Sequence, residues 1–207
     1  MFDIDLFDVD ASVVKTLHDK GAKVVCYMSA GSYENWRPDQ TGFPASVQGQ
    51  SNGWPGEKWL DVRKLDLLGP IMGARLDLCR SKGFDGVEFD NVDGYANSTG
   101  FPLTAADQLT YNRFLATQAH ARGLSAGLKN DLEQIPDLLG DFDWALNEQC
   151  FEYTECDALK AFVSAGKAVF NVEYDLPTTG FCPQANALNF NSMKKNLALD
   201  SPRWPCR

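Results

Sequence analysis

The chain has 207 residues and a formal net charge of −9, and its length suits one domain with a sizeable core over residues 1–207. The acidic balance excludes a typical nucleic-acid partner, which requires a basic face. No apolar run is long enough to predict a membrane span, and the residues Phe-Asp-Ile-Asp that follow Met1 do not begin a signal peptide.

Strand and helix patterns alternate along the chain, with apolar runs as strands and glycines as helix stops. The predicted elements are strand 2–9, a helix from Asp10 or Ser12 to Gly21, strand 22–28, helix 65–82, strand 84–89, a helix from Thr104 to Arg122, strand 124–128, helix 131–139, strand 142–146, helix 155–165, strand 168–172, a weak strand 188–191 and a helix near 192–199. The residues Thr104-Ala-Ala-Asp107 resemble a capping box with Asp in place of Glu. The intervening segment 29–61 is a long loop, which in a compact domain is usually functional.

Repeated strand–helix units predict a parallel sheet with helices outside it. A doubly wound sheet usually carries a glycine-rich phosphate loop after its first strand, whereas this first strand ends in Asp8-Val-Asp10. The sequence therefore favours a TIM (β/α)8-type barrel. Six clear strands and one weak strand make seven, and the chain is shorter than the ~250 residues typical of such barrels. We expect the barrel to lack its first strand in this chain.

The six cysteines form no CxxC pair, so a zinc ribbon is not indicated. Cys26 and Cys79 lie in apolar strand and helix patterns, which favours buried free thiols. The other four lie in loop-like segments, at positions 150, 156, 182 and 206. At least one disulfide among these four is expected, and it implies an oxidising compartment.

Polar and charged side chains follow four of the predicted strands. They are Asp90, Asn91 and Asp93 after strand 84–89, Lys129, Asn130 and Asp131 after strand 124–128, Asn147, Glu148 and Gln149 after strand 142–146, and Glu173, Tyr174 and Asp175 after strand 168–172. Barrel enzymes keep their catalytic groups at the C-terminal ends of the strands. Any one of these carboxylates alone could simply cap a loop or helix, but four such ends favour one active site built from four loops.

Glycoside hydrolysis needs two carboxyl groups that flank the scissile bond, and Asp90 and Glu148 fit that need. Their strands have one strand between them, so the two carboxyls could face each other across a barrel mouth. Glu88 and Asp93 are the competitors, although Glu88 is expected lower in the barrel and Asp93 precedes Gly94 and can shape a turn. Aromatic side chains in the loops fit a sugar site: Tyr33, Trp36, Trp54, Trp59, Tyr95, Tyr153 and Tyr174. For Trp54 and Trp59 we favour packing of the long loop onto the barrel.

Other chemistries find less support. The residues Asp90 to Gly94 do not match the spacing of a calcium-binding loop. His18 and His120 have no partner pattern, which argues against a histidine-based metal site. No nucleophile elbow is present. The sequence therefore predicts neither a metal nor a cofactor.

The chain resembles glycoside hydrolase family 114, the endo-α-1,4-polygalactosaminidase-like TIM-barrel domain. The matching segments run from Val25 to Arg37, Gly53 to Asp61, Ile71 to Asp77, Gly83 to Tyr95, Gly127 to Asp131, Asn147 to Cys150 and Val172 to Tyr174, in order and over nearly the whole chain. The family begins with an extra strand that this chain lacks, which accounts for the count of seven. The resemblance implies a secreted protein.

The resemblance also implies an activity. The family's proposed catalytic pair, an Asp after the fourth strand and a Glu after the sixth, falls on Asp90 and Glu148. We expect a retaining endo-glycosidase that cleaves α-1,4-linked galactosamine-containing polysaccharide, with Asp90 as nucleophile and Glu148 as acid/base. The expected substrate-binding residues are Tyr27, Arg37, Asp93, Lys129, Asn130, Asp131, Glu173 and Tyr174. The alternatives are an α-galactosidase that acts on terminal α-galactosides and a non-catalytic carbohydrate-binding barrel.

Overall fold

The computed structural model describes residues 1–207, which divide into two compact units, Met1–Gly127 and Leu128–Arg207. The elements that begin in the first unit are β1 (Phe2–Asp5), α1 (Ala11–Asp19), β2 (Val24–Ser29), β3 (Ser32–Glu34), β4 (Glu57–Trp59), α2 (Leu65–Lys82), β5 (Gly86–Asp90), α3 (Ala105–His120) and β6 (Ser125–Lys129). The second unit contains α4 (Ile135–Leu138), β7 (Trp144–Glu148), α5 (Lys160–Ser164), β8 (Ala168–Glu173), α6 (Thr178–Ala187), β9 (Asn191–Lys195) and β10 (Arg203–Pro205). Six of the predicted strands are present as β1, β2, β5, β6, β7 and β8; the weak strand predicted at 188–191 is displaced toward the C-terminus, since β9 covers Asn191–Lys195.

In the first unit, β2 pairs in parallel with β1 on one side and with β5 on the other. Strand β2 is buried along most of its length, as its nearly continuous apolar run predicts. The register sets Tyr27 opposite Glu88 and Ser29 opposite Asp90. The ends of β2 and β5 are therefore level with each other.

Side-chain hydrogen bonds fix the ends of several elements in this unit. Strand β1 stops at Asp5 rather than at the predicted residue 9, because the Asp5 carboxylate accepts hydrogen bonds from the backbone N–H groups of Phe7 and Asp8, at 2.8 and 3.1 Å. The capping box of α3 is confirmed: the Thr104 hydroxyl accepts from the Asp107 N–H, and the Asp107 carboxylate accepts from the Thr104 N–H. Hydrogen bonds that the Thr104 hydroxyl and the Thr104 N–H donate to the Asp107 carboxylate lower the pKa of Asp107.

In the second unit, β8 pairs in parallel with both β7 and β9, while β10 pairs antiparallel with β9. The predicted helix near 192–199 is wrong, since residues 191–195 form β9. The actual helix is α6, which packs Phe181 and Ala185 inward at a spacing of one helical turn. The interior Pro183 hid this helix in the sequence, because proline usually breaks a helix.

The cysteine prediction is wrong for Cys26 and Cys79, which form a disulfide between β2 and α2 with their Cα atoms 6.2 Å apart. A buried disulfide places both residues in apolar patterns, which is why the sequence suggested free thiols. The disulfide expected among the other four cysteines is confirmed, as Cys150–Cys156 and Cys182–Cys206. No cysteine remains free.

The helices are too short or too polar to cross a bilayer.

Candidate active site

In the first unit, Asp90 is the last residue of β5. Side chains alternate along a strand, so Val87 and Phe89 lie on one face while Glu88 and Asp90 lie on the other. The Tyr27 hydroxyl donates to Asp90 Oδ2 at 2.9 Å, and the backbone N–H of Asn91 donates to Asp90 Oδ1 at 2.9 Å. Both carboxylate oxygens therefore have a donor that fixes their orientation.

The turn after Asp90 has an unusual backbone. Asn91 has φ of 60°, a left-handed conformation that is uncommon outside glycine and is found where surrounding contacts enforce it. Its side-chain amide donates to Ser29 Oγ at 2.9 Å, and Ser29 Oγ lies 2.7 Å from Ser32 Oγ. A Cβ on Gly31 would lie 1.6 Å from the Asn91 carbonyl oxygen, so this close approach requires glycine.

A buried ion-pair cluster lies behind the end of β2. The Arg37 guanidinium bonds Asp5 and Glu34 at 2.7 and 2.8 Å. Arg75 forms a two-pronged contact with Asp39, at 2.7 and 2.9 Å, and donates to the Ser29 carbonyl oxygen at 2.7 Å. The guanidinium of Arg37, an expected substrate contact, is thus 6% exposed and held by protein carboxylates.

Burial and ion pairing both act on the pKa values of Glu34 and Arg37. Desolvation raises the pKa of Glu34, against the opposing pull of Arg37 and Arg75. Burial also acts to lower the pKa of Arg37, but hydrogen bonds from its guanidinium to Glu34 and Asp5 outweigh it and the pKa rises. Arg37 therefore stays charged, and the cluster fixes the ends of β1 and β2 through charge-assisted hydrogen bonds.

The competing carboxylates of the first unit have other surroundings. Glu88 is 4% exposed, two residues before the strand end. The Asp93 carbonyl oxygen accepts from the Ala96 N–H and from the Asn97 side chain, each at 3.0 Å. Asp93 therefore shapes a turn through its backbone, as the following Gly94 suggested.

In the second unit, Glu148 is the last residue of β7. The Lys129 ammonium lies 3.4 Å from Glu148 Oε2, and the Tyr174 hydroxyl donates a short hydrogen bond to Glu148 Oε1. Lys129 is 6% exposed and the Glu148 side chain 27% exposed. Glu148 is thus partly exposed to solvent, while Lys129 is shielded from it. The shielding of Lys129 strengthens the attraction between the two charges.

Asparagines hold the backbone at this strand end. Asn130 Oδ1 accepts from the backbone N–H of Glu148 at 2.9 Å and from the Asn147 amide at 3.1 Å. Asn147 Oδ1 in turn accepts from the Cys150 N–H at 3.0 Å. Asn130 therefore supports the backbone of Glu148. The sequence predicted only a substrate contact for Asn130.

Glu173 lies fully buried at the end of β8. Its Oε1 accepts from the Phe151 N–H at 3.0 Å and from the Asn171 amide at 3.1 Å, while its Oε2 has no hydrogen-bond partner. Burial raises the pKa of Glu173, although the hydrogen bonds from Asn171 and the loop backbone act to lower it. Glu173 thus fixes the loop that follows Glu148.

Left-handed residues follow three strand ends. Asn91 follows β5, Asn130 and Asp131 follow β6, and Gln149 follows β7, with φ between 46° and 64°. Asp131 is buried, 5% exposed. The sequence placed Asn91, Asn147 and Gln149 at strand ends, but it did not indicate the left-handed backbone of Asn91 and Gln149, which no glycine marks, or the bond from the Cys150 N–H to the Asn147 side chain. Strained backbone of this kind clusters at functional sites.

A family profile described as Glycoside-hydrolase family GH114 matches residues 1–207. The chain belongs to this glycoside-hydrolase family. It also matches the crystal structure of Aspergillus fumigatus Ega3 in complex with galactosamine, with a TM-score of 0.94 and 44% sequence identity, over 99% of this chain and 86% of that one. The fold is therefore of the TIM-barrel type that the sequence predicted.

Two more distant proteins are similar as well. The glycoside hydrolase domain of Pseudomonas aeruginosa PelA matches with a TM-score of 0.73 and 14% identity, over 97% of this chain and 88% of that one, which supports the fold. An uncharacterised Deinococcus radiodurans protein is 27% identical over 75% of this chain. The chain spans 57% of the length of that relative.

Proposed function

We propose that this protein is an endo-glycosidase that cleaves α-1,4-linked galactosamine-containing polysaccharide. The observation that carries the proposal is the 44% identity, over 99% of the chain, to a family member bound to galactosamine. The net charge of −9 suits a polymer whose free amino groups are cationic.

Asp90 and Glu148 divide the chemistry in this proposal. The Asp90 carboxylate attacks the anomeric carbon, the bond to the leaving oxygen breaks, and Glu148 gives that oxygen its proton. Water then attacks the anomeric carbon of the glycosyl–Asp90 ester, while Glu148 takes a proton from that water. This step releases the Asp90 carboxylate and restores the protonated Glu148. Two displacements retain the α configuration.

The neighbours of each carboxylate support this division. Asp90 is oriented by Tyr27 and by a backbone N–H group, which suits a nucleophile that must be aimed at one atom. Glu148 contacts Lys129 and Tyr174, whose polar hydrogens stabilise the carboxylate left after proton donation. In this assignment Asn130 and Glu173 position Glu148 and its loop, while Tyr27, Lys129 and Tyr174 act directly at the carboxylates. Substrate contacts by Arg37, Asp93 and Asp131 stay predictions.

We also propose that the protein is secreted. Its disulfides Cys26–Cys79, Cys150–Cys156 and Cys182–Cys206 suit an oxidising compartment, where an extracellular polysaccharide is accessible.

The test compares three substrates with the same purified protein: deacetylated α-1,4-galactosamine polymer, its N-acetylated form and an aryl α-galactoside. We expect oligosaccharide products from the deacetylated polymer, resolved by mass spectrometry, and their loss in Asp90→Asn. Release of single sugars alone would favour the α-galactosidase alternative. Absence of products from every substrate would favour the non-catalytic sugar-binding barrel.

A further inference from the structure

The long segment between β2 and α2 forms an antiparallel hairpin of β3 and β4. Beside it lies an open cavity of about 440 Å³, lined by Tyr33, Asn35, Gln48, Ser51, Glu57 and Lys58 among others. The lining combines an aromatic ring, amides, a hydroxyl, a carboxylate and the Lys58 ammonium group. This is the mixture of groups that binds a sugar, whose ring has apolar faces and hydroxyl edges.

Trp36 is a half-exposed ring that packs against Gly56, one of the residues that line this cavity. It is 50% exposed, yet a Cβ on the cavity-lining Gly56 would lie 3.0 Å from its Cζ3 atom. The Arg37 guanidinium lies 5.9 Å from the centre of the Trp36 ring. Since one edge packs on Gly56 and Arg37 is itself anchored by Asp5 and Glu34, the ring is held in place before any ligand binds.

Polar groups at the cavity have unused hydrogen-bonding capacity. The Asn35 side-chain amide makes no hydrogen bond, while its backbone N–H is anchored on the Gly56 carbonyl oxygen at 3.1 Å. Glu57 Oε2 accepts from Ser32 and Asn52, at 2.8 and 2.7 Å, which leaves Glu57 Oε1 available. One donor–acceptor amide and one carboxylate oxygen with unused hydrogen-bonding capacity therefore belong to residues that line the cavity.

The cavity connects to the end of β5 through hydrogen bonds. Glu57 accepts from Ser32 Oγ, which lies 2.7 Å from Ser29 Oγ, and Ser29 Oγ accepts from the Asn91 amide. Asn91 directly follows Asp90. The cavity is thus next to the strand end that carries the nucleophile, in the same unit of the protein.

We infer that the β3–β4 hairpin is an outlying sugar-binding site, which holds a unit of the polysaccharide beyond those at the cleaved bond by stacking on Trp36 and bonding Asn35 and Glu57. The inference rests on the proposed function for the identity of the polymer. A site of this kind serves long chains and is left empty by short oligosaccharides.

The test uses Trp36→Ala and Asn35→Ala, with Trp204→Ala as the matched control because Trp204 is a 44% exposed tryptophan of the second unit. Affinity electrophoresis through gels that contain the galactosamine polymer measures binding without turnover. We expect Trp36→Ala to bind the polymer about tenfold more weakly, the change that corresponds to about 1.4 kcal/mol, and Trp204→Ala to bind as wild type does. The kcat/KM for polymer should fall with binding, while kcat for short oligosaccharides stays within about twofold of wild type.

Equal retardation of wild type and both cavity variants would overturn the inference and leave the proposed function intact. A wild type that is retarded but cleaves nothing would refute the proposed function and leave the binding site standing. An equal loss of kcat on short and long substrates would overturn the inference, since it would place Trp36 in support of catalysis. If Trp36→Ala does not fold by circular dichroism, the exposed Asn35→Ala decides. Self-association of wild type that Trp36→Ala abolishes, with unchanged polymer binding, would instead identify a protein contact.

Discussion

The strand ends at Asp90 and Glu148 differ in what holds their carboxylates. Asp90 accepts from the Tyr27 hydroxyl and from the backbone N–H of Asn91, while Glu148 accepts from the Tyr174 hydroxyl and lies 3.4 Å from the Lys129 ammonium. Each accepts from a tyrosine hydroxyl; Asp90 also accepts from a backbone N–H, and Glu148 also lies near a charged side chain. In the proposed mechanism the first set of contacts aims the nucleophile and the second supports the acid/base.

The two ends also differ in how they are cross-linked. Cys26, next to Tyr27, is joined to Cys79 across 53 residues of sequence, so a long-range bond supports the Asp90 end. Cys150, two residues after Glu148, is joined to Cys156 across only 6 residues. The first disulfide ties a strand to a helix of the first unit, and the second shapes a single loop.

The largest expected effect separates the two carboxylates. We expect Asp90→Asn and Glu148→Gln each to lower polymer hydrolysis by a factor of about 10³ or more, because each removes a group that takes part in bond making. An aryl glycoside with an acidic leaving group needs no proton donor, so Glu148→Gln should still form the glycosyl–enzyme ester and accumulate it. Asp90→Asn should form none, as measured by mass spectrometry of the intact protein.

Asp66→Asn is the control for this pair, because Asp66 is an exposed carboxylate in the first turn of α2. Its activity should equal that of wild type. An ester trapped in Asp90→Asn but not in Glu148→Gln would reverse the assignment of roles.

Removal of a disulfide gives the next largest effect. Removing Cys26–Cys79 should mainly lower stability, whereas removing Cys150–Cys156 should lower activity more strongly. In the chain-entropy account, replacing Cys26 and Cys79 by Ala lowers the free energy of unfolding by about 4 kcal/mol, and replacing Cys150 and Cys156 by about 2 kcal/mol, because the first loop is much longer. Urea denaturation under oxidising conditions measures both. We expect loss of the Cys150–Cys156 disulfide to lower kcat more, for each kcal/mol of stability lost, than loss of the Cys26–Cys79 disulfide does. The reason is that Asn147 and Cys150 fix the turn after Glu148. Equal losses of stability would contradict the loop-length argument.

The tyrosines sharpen the comparison further. Tyr27→Phe and Tyr174→Phe each remove one hydrogen bond to a carboxylate, a contact worth roughly 1.5–3 kcal/mol to a charged group, so kcat should fall about tenfold or more. Tyr27→Phe should slow formation of the glycosyl ester, which single-turnover kinetics on an aryl glycoside would report. The exposed Tyr153→Phe serves as control. Unchanged ester formation in Tyr27→Phe would remove Tyr27 from the support of Asp90.

The sequence predicted the strand ends better than it predicted what surrounds them. Asp90 and Glu148 end apolar runs, and such a run can be recognised in the sequence without knowledge of any tertiary contact. The left-handed turns at Asn91 and Gln149 could not be predicted in this way, since surrounding contacts rather than local preference impose them. Cys26 and Cys79 were missed as a pair because a disulfide between a strand and a helix depends on packing. Likewise Trp54, expected to pack the long loop down, is 55% exposed, whereas Trp59 is 8% exposed as expected.

The smallest expected effect concerns the buried carboxyl behind Glu148. Burial raises the pKa of Glu173 above its ordinary value of 4.5, so the folded protein binds this proton more tightly than the unfolded chain does. The stability that this proton contributes is fully present below about pH 4.5 and is lost as the pH rises through the folded pKa. Glu173→Gln cannot ionise, and its amide oxygen can still accept from the Phe151 N–H. We therefore expect the variant to gain stability relative to wild type as the pH rises from 4 to neutrality, by about 1.4 kcal/mol for each unit of pKa shift.

The kcat of Glu173→Gln should stay close to that of wild type, because the loop after Glu148 keeps its anchor. Urea denaturation at a series of pH values measures the difference, with Asp175→Asn as the exposed control that should follow wild type. A constant difference between Glu173→Gln and wild type across that range would mean that Glu173 titrates alike in the folded and unfolded chains, and burial at this strand end would then have no electrostatic cost.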